Sequence, residues 1–179
     1  MSMLRLSTTS YVVLGLIGLR GPSTSYDLKR AIGRSVGYFW PFPHAQLYSE
    51  PRRLAEGGLL EVTAEESGRR RQTFSLTELG EQRLKEWLSE PSTDPMQIRD
   101  VAELKLFLAE LSTPEDTLTL AREQVNQHAA RIAIYDSIME RYSELDPVAA
   151  RLVPVRLGLK IEHAAHEFWQ ELVEEMEHR

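Results

Sequence analysis

Apolar and polar positions alternate with three different rhythms along this chain. The first is helical. Thr9–Leu19 is short and mostly apolar, and Gly21-Pro22 closes it as a helix stop does. Thr24-Ser25-Tyr26-Asp27, a capping residue with an acid three positions on, opens a second helix to about Arg34. Gly37-Tyr38-Phe39-Trp40-Pro41-Phe42-Pro43 predicts an aromatic turn that packs down, because prolines so closely spaced prevent a continuing helix. A third helix is expected from about Pro43 to Gly57-Gly58. It turns Leu47, Leu54 and, on one reading, Tyr48 inward, and His44, Gln46, Ser49, Arg52 and Arg53 outward. Pro51 falls mid-helix, where a proline removes one backbone hydrogen bond at a cost of about 3 kcal/mol if uncompensated.

After the glycines the rhythm changes to two. Leu59–Ala64 reads as a strand and Arg71–Leu76 as its antiparallel partner, with Ser67-Gly68-Arg69-Arg70-Arg71 about the turn. Thr77 caps a fourth helix carrying Leu79, Leu84, Trp87 and Leu88. Glu90-Pro91-Ser92-Thr93-Asp94-Pro95 has the composition of a linker, dividing a first domain over residues 1–90 from a second over 97–179, with 91–96 between them.

In the second half the rhythm becomes a heptad. Gln97–Leu111 predicts a helix with Val101, Leu104, Leu108 and Leu111 on one face. Thr113-Pro114-Glu115-Asp116 restarts the chain as a helix to about Glu144, with the seam Leu118, Ala121, Val125, His128, Ile132, Tyr135, Met139, Tyr142. Asp146-Pro147 opens the last helix, whose seam is Leu152, Val155, Leu159, Glu162, His166, Trp169, Val173, Met176. Pro154 should kink that helix or mark its effective start. A second stripe, Ile161, Ala165, Phe168 and Leu172, lies on another side, so this helix needs two partners. One is a helix of the same chain, and the other is expected to be a second copy. The candidate dimer contacts are Leu152, Val155, Leu159, Ile161, His166, Phe168, Trp169, Leu172, Val173 and Met176.

Three helices, a hairpin with a basic tip and a following helix make a winged helix-turn-helix. The expected fold is therefore mainly α with a minor β component: an N-terminal winged helix-turn-helix, then an antiparallel long-helix dimerisation domain. Ser25-Tyr26-Asp27-Leu28, Gln46-Leu47-Tyr48 and Arg53-Leu54-Ala55-Glu56-Gly57-Gly58-Leu59-Leu60 resemble the PadR family of transcriptional regulators. So do Gly68-Arg69-Arg70-Arg71, Leu76-Thr77-Glu78-Leu79-Gly80 and Glu86-Trp87-Leu88. The departure is Pro51, where the pattern expects an aliphatic residue. Residues 97–178 resemble the helical C-terminal part of the longer, virulence-activator-like members, which in the family serves dimerisation.

A major groove accepts one α-helix, and its base edges are read by paired donors and acceptors. The start of a recognition helix meets bases while flanking groups meet phosphates. This assigns base reading to His44, Gln46 and Ser49, with Gln46 suited to adenine because an amide both donates and accepts. Tyr48, Arg52, Arg53, Thr24 and Ser25 become phosphate contacts, and Arg69, Arg70 and Arg71 contact the backbone or a narrow minor groove. The plainer alternatives are a solvated Arg52-Arg53 face pairing with Glu56, and Tyr48 as core.

Charge supports the division. Residues 1–89 hold 12 Lys+Arg against 9 Asp+Glu, and residues 90–179 hold 9 against 18, so the net −6 conceals a basic half joined to an acidic one. The absence of cysteine excludes a disulfide scaffold and thiolate chemistry. No apolar run is long enough to span a membrane, and a cytoplasmic location is expected. His163 and His166 lie at i, i+3 without a third ligand nearby, and no nucleophile elbow, phosphate loop or metalloprotease motif occurs, so neither a cofactor nor enzymatic activity is expected. Trp40, Trp87, Trp169, Phe168 and Tyr142 are candidate walls for a small aromatic or lipophilic effector, though aromatics more commonly fill cores. The sequence thus reads as a homodimeric repressor acting on double-stranded DNA at a palindromic operator, released by a ligand or signal. The rival is a helical interaction or ligand-binding module whose winged helix does not bind DNA.

Overall fold

The computed structural model describes residues 4–40, 45–64, 71–142 and 149–178. The chain divides into two compact units, Met1–Asp94 and Pro95–Arg179.

In the first unit α1 spans Thr8–Arg20 and opens on a reciprocal cap: Ser7 Oγ accepts from the Ser10 amide, and Ser10 Oγ accepts from the Ser7 amide. Then follow a two-residue strand, β1 (Ser23–Thr24), helix α2 (Ser25–Ile32) and a 3-10 turn at Val36–Tyr38. The predicted cap of α2 is present, although the helix stops two residues before Arg34, at Gly33. Helix α3 is Gln46–Glu56, and its expected start at about Pro43 lies outside the described residues. Gly57 caps its end, and Gly58 follows with a φ of 75° that favours a residue without a Cβ. Strands β2 (Leu60–Ala64) and β3 (Gln72–Leu76) form the hairpin, paired Leu60 to Leu76 and Ala64 to Gln72. Strand β1, which no sequence signal announced, completes the sheet in the order β1-β3-β2, with Ser23 opposite Phe74.

Phe74, Val13, Leu14, Ile17, Leu28 and Leu54 form the core of this unit. Helix α4 (Glu78–Ser89) lies against α1, where Trp87 stacks on Tyr11 with ring centroids 4.5 Å apart and planes 6° from parallel. Thr77 Oγ1 accepts from the Gly80 amide and donates to the Gly58 carbonyl, so one hydroxyl joins the start of α4 to the end of α3.

In the second unit helix α5 is only Val101–Phe107, capped by Asp100, with a 3-10 turn at Ala109–Leu111. This corrects the helix expected from Gln97. Asp100 accepts from the Ala102 amide and starts the helix there instead. The expected apolar face is also not the buried one. Ala102 and Leu106 pack inward, whereas Val101, Leu104, Leu108 and Leu111 are exposed.

Helix α6 (Pro114–Tyr142) begins at the predicted cap, with Thr113 and Asp116 bonded reciprocally. Helix α7 spans Ala149–Glu177 and continues through Pro154; its expected start at Asp146-Pro147 lies outside the described residues. The two run antiparallel, since Arg122 pairs with Glu177 and His128 with Glu162. Every position of both predicted seams is buried or half-buried.

Gly80 is the tightest test of this packing, because a Cβ there would collide with the Leu59 carbonyl oxygen. Gly80→Ala should destabilise the first unit by about 2–3 kcal/mol despite alanine's better helix propensity, seen as a lower urea midpoint. An unchanged midpoint would show that α4 is not docked this closely.

Candidate nucleic-acid interface

Helix α3 is amphipathic. Leu47, Glu50, Pro51 and Leu54 are buried, and Gln46, Tyr48, Ser49 and Arg52 are exposed. Tyr48 therefore faces outward and not into the core, which settles the two readings of that residue. Ser49 lies on the same exposed side.

What fixes this rotation is a polar cluster between α1 and α3. Ser10 Oγ donates to Glu50 Oε1 at 2.6 Å. Arg53 grips the same carboxylate with both arms, Nε to Oε2 at 2.9 Å and Nη2 to Oε1 at 2.6 Å. It also donates to Ser10 Oγ and, through Nη1, to the Arg5 carbonyl. Burial pushes the Glu50 carboxyl up, but the bonds from Arg53 and Ser10 and the Arg53 charge outweigh it and hold it below the usual carboxylate range. Arg53 thus braces a buried carboxylate, pairing with Glu50 and not with Glu56, and is half-buried where an outward position was expected.

Thr24 is engaged within the fold in a similar way. Its hydroxyl donates to Asp27 Oδ2 at 2.7 Å and accepts from the Asp27 amide, and its own amide donates to the same oxygen. These bonds from Thr24 hold the Asp27 carboxyl below its ordinary value, and an anion approaching Thr24 would meet that negative charge. Ser25 is half-buried at the same helix start.

Neighbouring elements support the exposed face of α3. Thr9 Oγ1 on α1 donates to Gln46 Oε1 at 3.0 Å, and Arg52 Nε donates to Gln72 Oε1 on β3 at 3.0 Å. Arg71 is exposed where the hairpin enters β3. His44, Arg69 and Arg70 lie outside the described residues.

Ser10, Glu50, Thr9 and Gln72 were missed in the sequence. A signal for the buried pair existed: Ser10 precedes Val13, Leu14 and Ile17 at helical spacing, and Glu50 falls between Leu47 and Leu54. Each is a polar residue on a core stripe, and such a residue calls for a partner.

The other candidate residues separate. Trp40 is exposed and Trp87 stacks on Tyr11, both in the first unit. Phe168 and Trp169 meet edge to face at 5.3 Å, and Tyr142 ends α6 at the far end of the hairpin. Within the second unit, Tyr142 and the Phe168–Trp169 pair therefore do not wall one pocket. A groove of about 500 Å³ lies between Phe107, Leu106, Phe168 and Trp169, with Asp100 and Glu103 at its rim. Among the described residues no group of three metal-ligating side chains comes together, and His163 is exposed while His166 sits in the seam. No described helix is long and apolar enough to cross a membrane.

Among the candidate dimer contacts, Leu152, Val155, Leu159, His166, Trp169, Val173 and Met176 are seam residues that α6 already covers in the same chain. An antiparallel partner in the same chain thus accounts for this heptad seam without a second copy. The uncovered stripe is the other one. Ile161 and Phe168 are exposed and Leu172 half-buried, and the stripe extends back to Leu157 and Val153.

Three helices, a three-stranded hairpin sheet and an outward-facing third helix define the winged-helix class, here joined to a long antiparallel helical hairpin. Residues 13–86 match the transcriptional regulator PadR-like family and residues 98–177 match the virulence activator α C-terminal family. The chain belongs to the PadR-like family of transcriptional regulators, in the form with the virulence-activator helical region. The negative transcriptional regulator PadR of Bacillus subtilis (strain 168) is 25% identical over 69% of this chain and 68% of its own length. The crystal structure of that protein with operator DNA is similar at a TM-score of 0.85 and 20% identity, covering 95% of this chain and 99% of the other. Its complex with p-coumaric acid matches at 0.77 and 20% identity over 97% and 99%. The Vibrio cholerae virulence activator AphA matches at 0.73 and 24% identity over 95% and 98%.

The Glu50 carboxyl has a pH signature. Because its folded pKa lies below the ordinary 4.5, its contribution is complete above that value and is lost as pH falls through the lowered one. Wild type should exceed Glu50→Gln in urea midpoint near neutral pH, and the gap should close in acid. Arg53→Ala should cost about 2 kcal/mol, less than a fully buried pair because Arg53 is partly exposed. A gap independent of pH would contradict the assignment.

Proposed function

We propose that this regulator is a homodimeric repressor that docks α3 in the major groove of a palindromic operator and is released by a small aromatic or lipophilic effector or another signal. The observation that carries the DNA reading is the division of α3: its inner face is spent on the core and on Glu50, while Gln46, Tyr48, Ser49 and Arg52 stand exposed side by side. Thr24 and Arg53 leave the set of phosphate contacts. Tyr48, Arg52 and Ser25 stay in it, Arg69, Arg70 and Arg71 stay as backbone or minor-groove contacts, and His44 stays a base reader with Gln46 and Ser49, with domain limits 1–90 and 97–179. The basic first half and acidic second half fit DNA contact through the first unit alone. That a Bacillus relative is a negative regulator crystallised with operator DNA and with p-coumaric acid supports repression and an effector of that chemistry.

The uncovered stripe of α7 and the exposed apolar residues of α5 support a second copy as partner. Val153, Leu157, Ile161 and Phe168 on α7, and Val101, Leu104 and Phe107 on α5, are large apolar side chains left exposed, the kind of surface that marks an interaction site when it is contiguous. A dimer also supplies what one winged helix lacks, a second recognition helix at a fixed spacing.

Fluorescence anisotropy on DNA upstream of the gene, against scrambled DNA, tests the first part. Wild type should prefer the upstream site and lose roughly 10³-fold in affinity between about 50 and 200 mM salt. Arg69/Arg70/Arg71→Ala should bind more weakly with a shallower salt slope. Binding without preference and insensitive to salt would favour the interaction-module reading.

Light scattering tests the second part. Wild type should have twice the chain mass, and Ile161→Glu with Phe168→Glu should give a monomer of unchanged helicity. A monomeric wild type would rule out the dimer.

A further inference from the structure

The hydrogen bond from Thr9 to Gln46 has a consequence for which base is read. The amide of Gln46 is the first side chain of α3, and it projects from the exposed end of that helix. An amide reads adenine by presenting its oxygen and nitrogen together, the oxygen accepting from N6 and the nitrogen donating to N7. Here the oxygen is held by a residue of another helix, Thr9 of α1, at 3.0 Å. The two arms of the amide diverge from Cδ. With Oε1 drawn toward α1, the arm left to the open side is Nε2, which carries two hydrogens and no acceptor.

We propose that Thr9 is a positioning residue that sets the base preference of Gln46: by holding Oε1 toward α1 it turns the Nε2 donors outward, matched to the paired acceptors O6 and N7 of guanine in preference to adenine. This rests on the DNA reading given above. It reverses the adenine preference expected from the residue type alone, and places a specificity determinant on a helix that lies outside the recognition helix. Arg52 is treated in the same way. Gln72 of β3 takes its Nε, leaving the terminal nitrogens of the guanidinium as the outward donors. Elements on both sides of α3 therefore orient its exposed side chains before any ligand arrives, which lowers the ordering cost of docking.

The test is a binding selection from random duplexes with wild type, Gln46→Ala, Thr9→Val and Thr9→Ser, each first confirmed as folded by thermal melting. The base pair under Gln46 is the one whose identity ceases to matter in Gln46→Ala. At that pair wild type and Thr9→Ser, which keeps the hydroxyl, should favour guanine over adenine by roughly 10-fold. Thr9→Val keeps the shape, frees Oε1, and should bring the ratio to about 2-fold or invert it. Adenine preferred by wild type, or the same ratio in wild type and Thr9→Val, overturns the proposal while leaving the DNA reading intact. No sequence selected by wild type overturns the DNA reading itself, and is seen before any variant is compared.

Discussion

A carboxylate buried between two helices destabilises the fold unless its charge and lone pairs are met, and Glu50 is such a group. Its partners come from both helices: Ser10 from α1, and Arg53 from the next turn of α3, itself tied to the Arg5 carbonyl. Hydrogen bonds are directional, so this cluster fixes how α3 is rotated about its axis as well as where it lies. Leucine packing alone would tolerate some rolling of the helix, whereas a two-armed guanidinium on a carboxylate does not. The exposed face of α3 follows from that rotation. So does the meeting of Thr9 with Gln46, since Thr9 immediately precedes Ser10 on α1.

The second unit uses the same device at a different scale. Its long helices meet along a heptad seam that would accept several registers if it were apolar throughout. Within the seam, His128 Nδ1 lies 2.6 Å from Glu162 Oε2 and Arg131 reaches the other oxygen at 3.2 Å. A polar pair in a seam costs stability but distinguishes one register from its neighbours. Fixing α6 on α7 also decides which residues of α7 are left over. Those are the stripe from Val153 to Phe168, and a rigid hairpin presents it as one surface.

The helices, hairpin and heptad seams were legible in the sequence because their signals are local: caps such as Thr24 with Asp27, Gly57-Gly58 as a stop, and unbroken three-four spacing. Strand β1 was not, because two residues carry no periodicity and owe their pairing to Phe74 and Thr73 far along the chain. Helix α5 was overextended because apolar spacing does not show which stripe is buried, and the cap at Asp100 decided its start. The outward residues of α3 followed from its period, with Arg53 the exception. An arginine placed at the edge of a helix face turns inward when a buried carboxylate lies three residues before it. That required recognising Glu50 as core, although charged residues are rarely buried unless paired. Both stripes of α7 were visible, but which of them the chain fills for itself became visible only with α6 in place.

Pro51 breaks the local rule most plainly, and the same network explains how α3 tolerates it. It is buried within the helix, four residues after Leu47, whose carbonyl would otherwise receive the missing amide. Burying the ring returns about half of the roughly 3 kcal/mol that the lost bond and crowding cost. The remainder falls on the junction between the turn that carries Gln46–Ser49 and the turn that carries Arg52–Leu54. Each side of that junction is held from outside the helix. Thr9 holds Gln46 before the proline, while Ser10 holds Glu50 beside it and Gln72 holds Arg52 after it. A helix weakened at its centre is thus kept in one piece by bonds to α1 and β3, and the groups that keep it so are those that aim its exposed side chains.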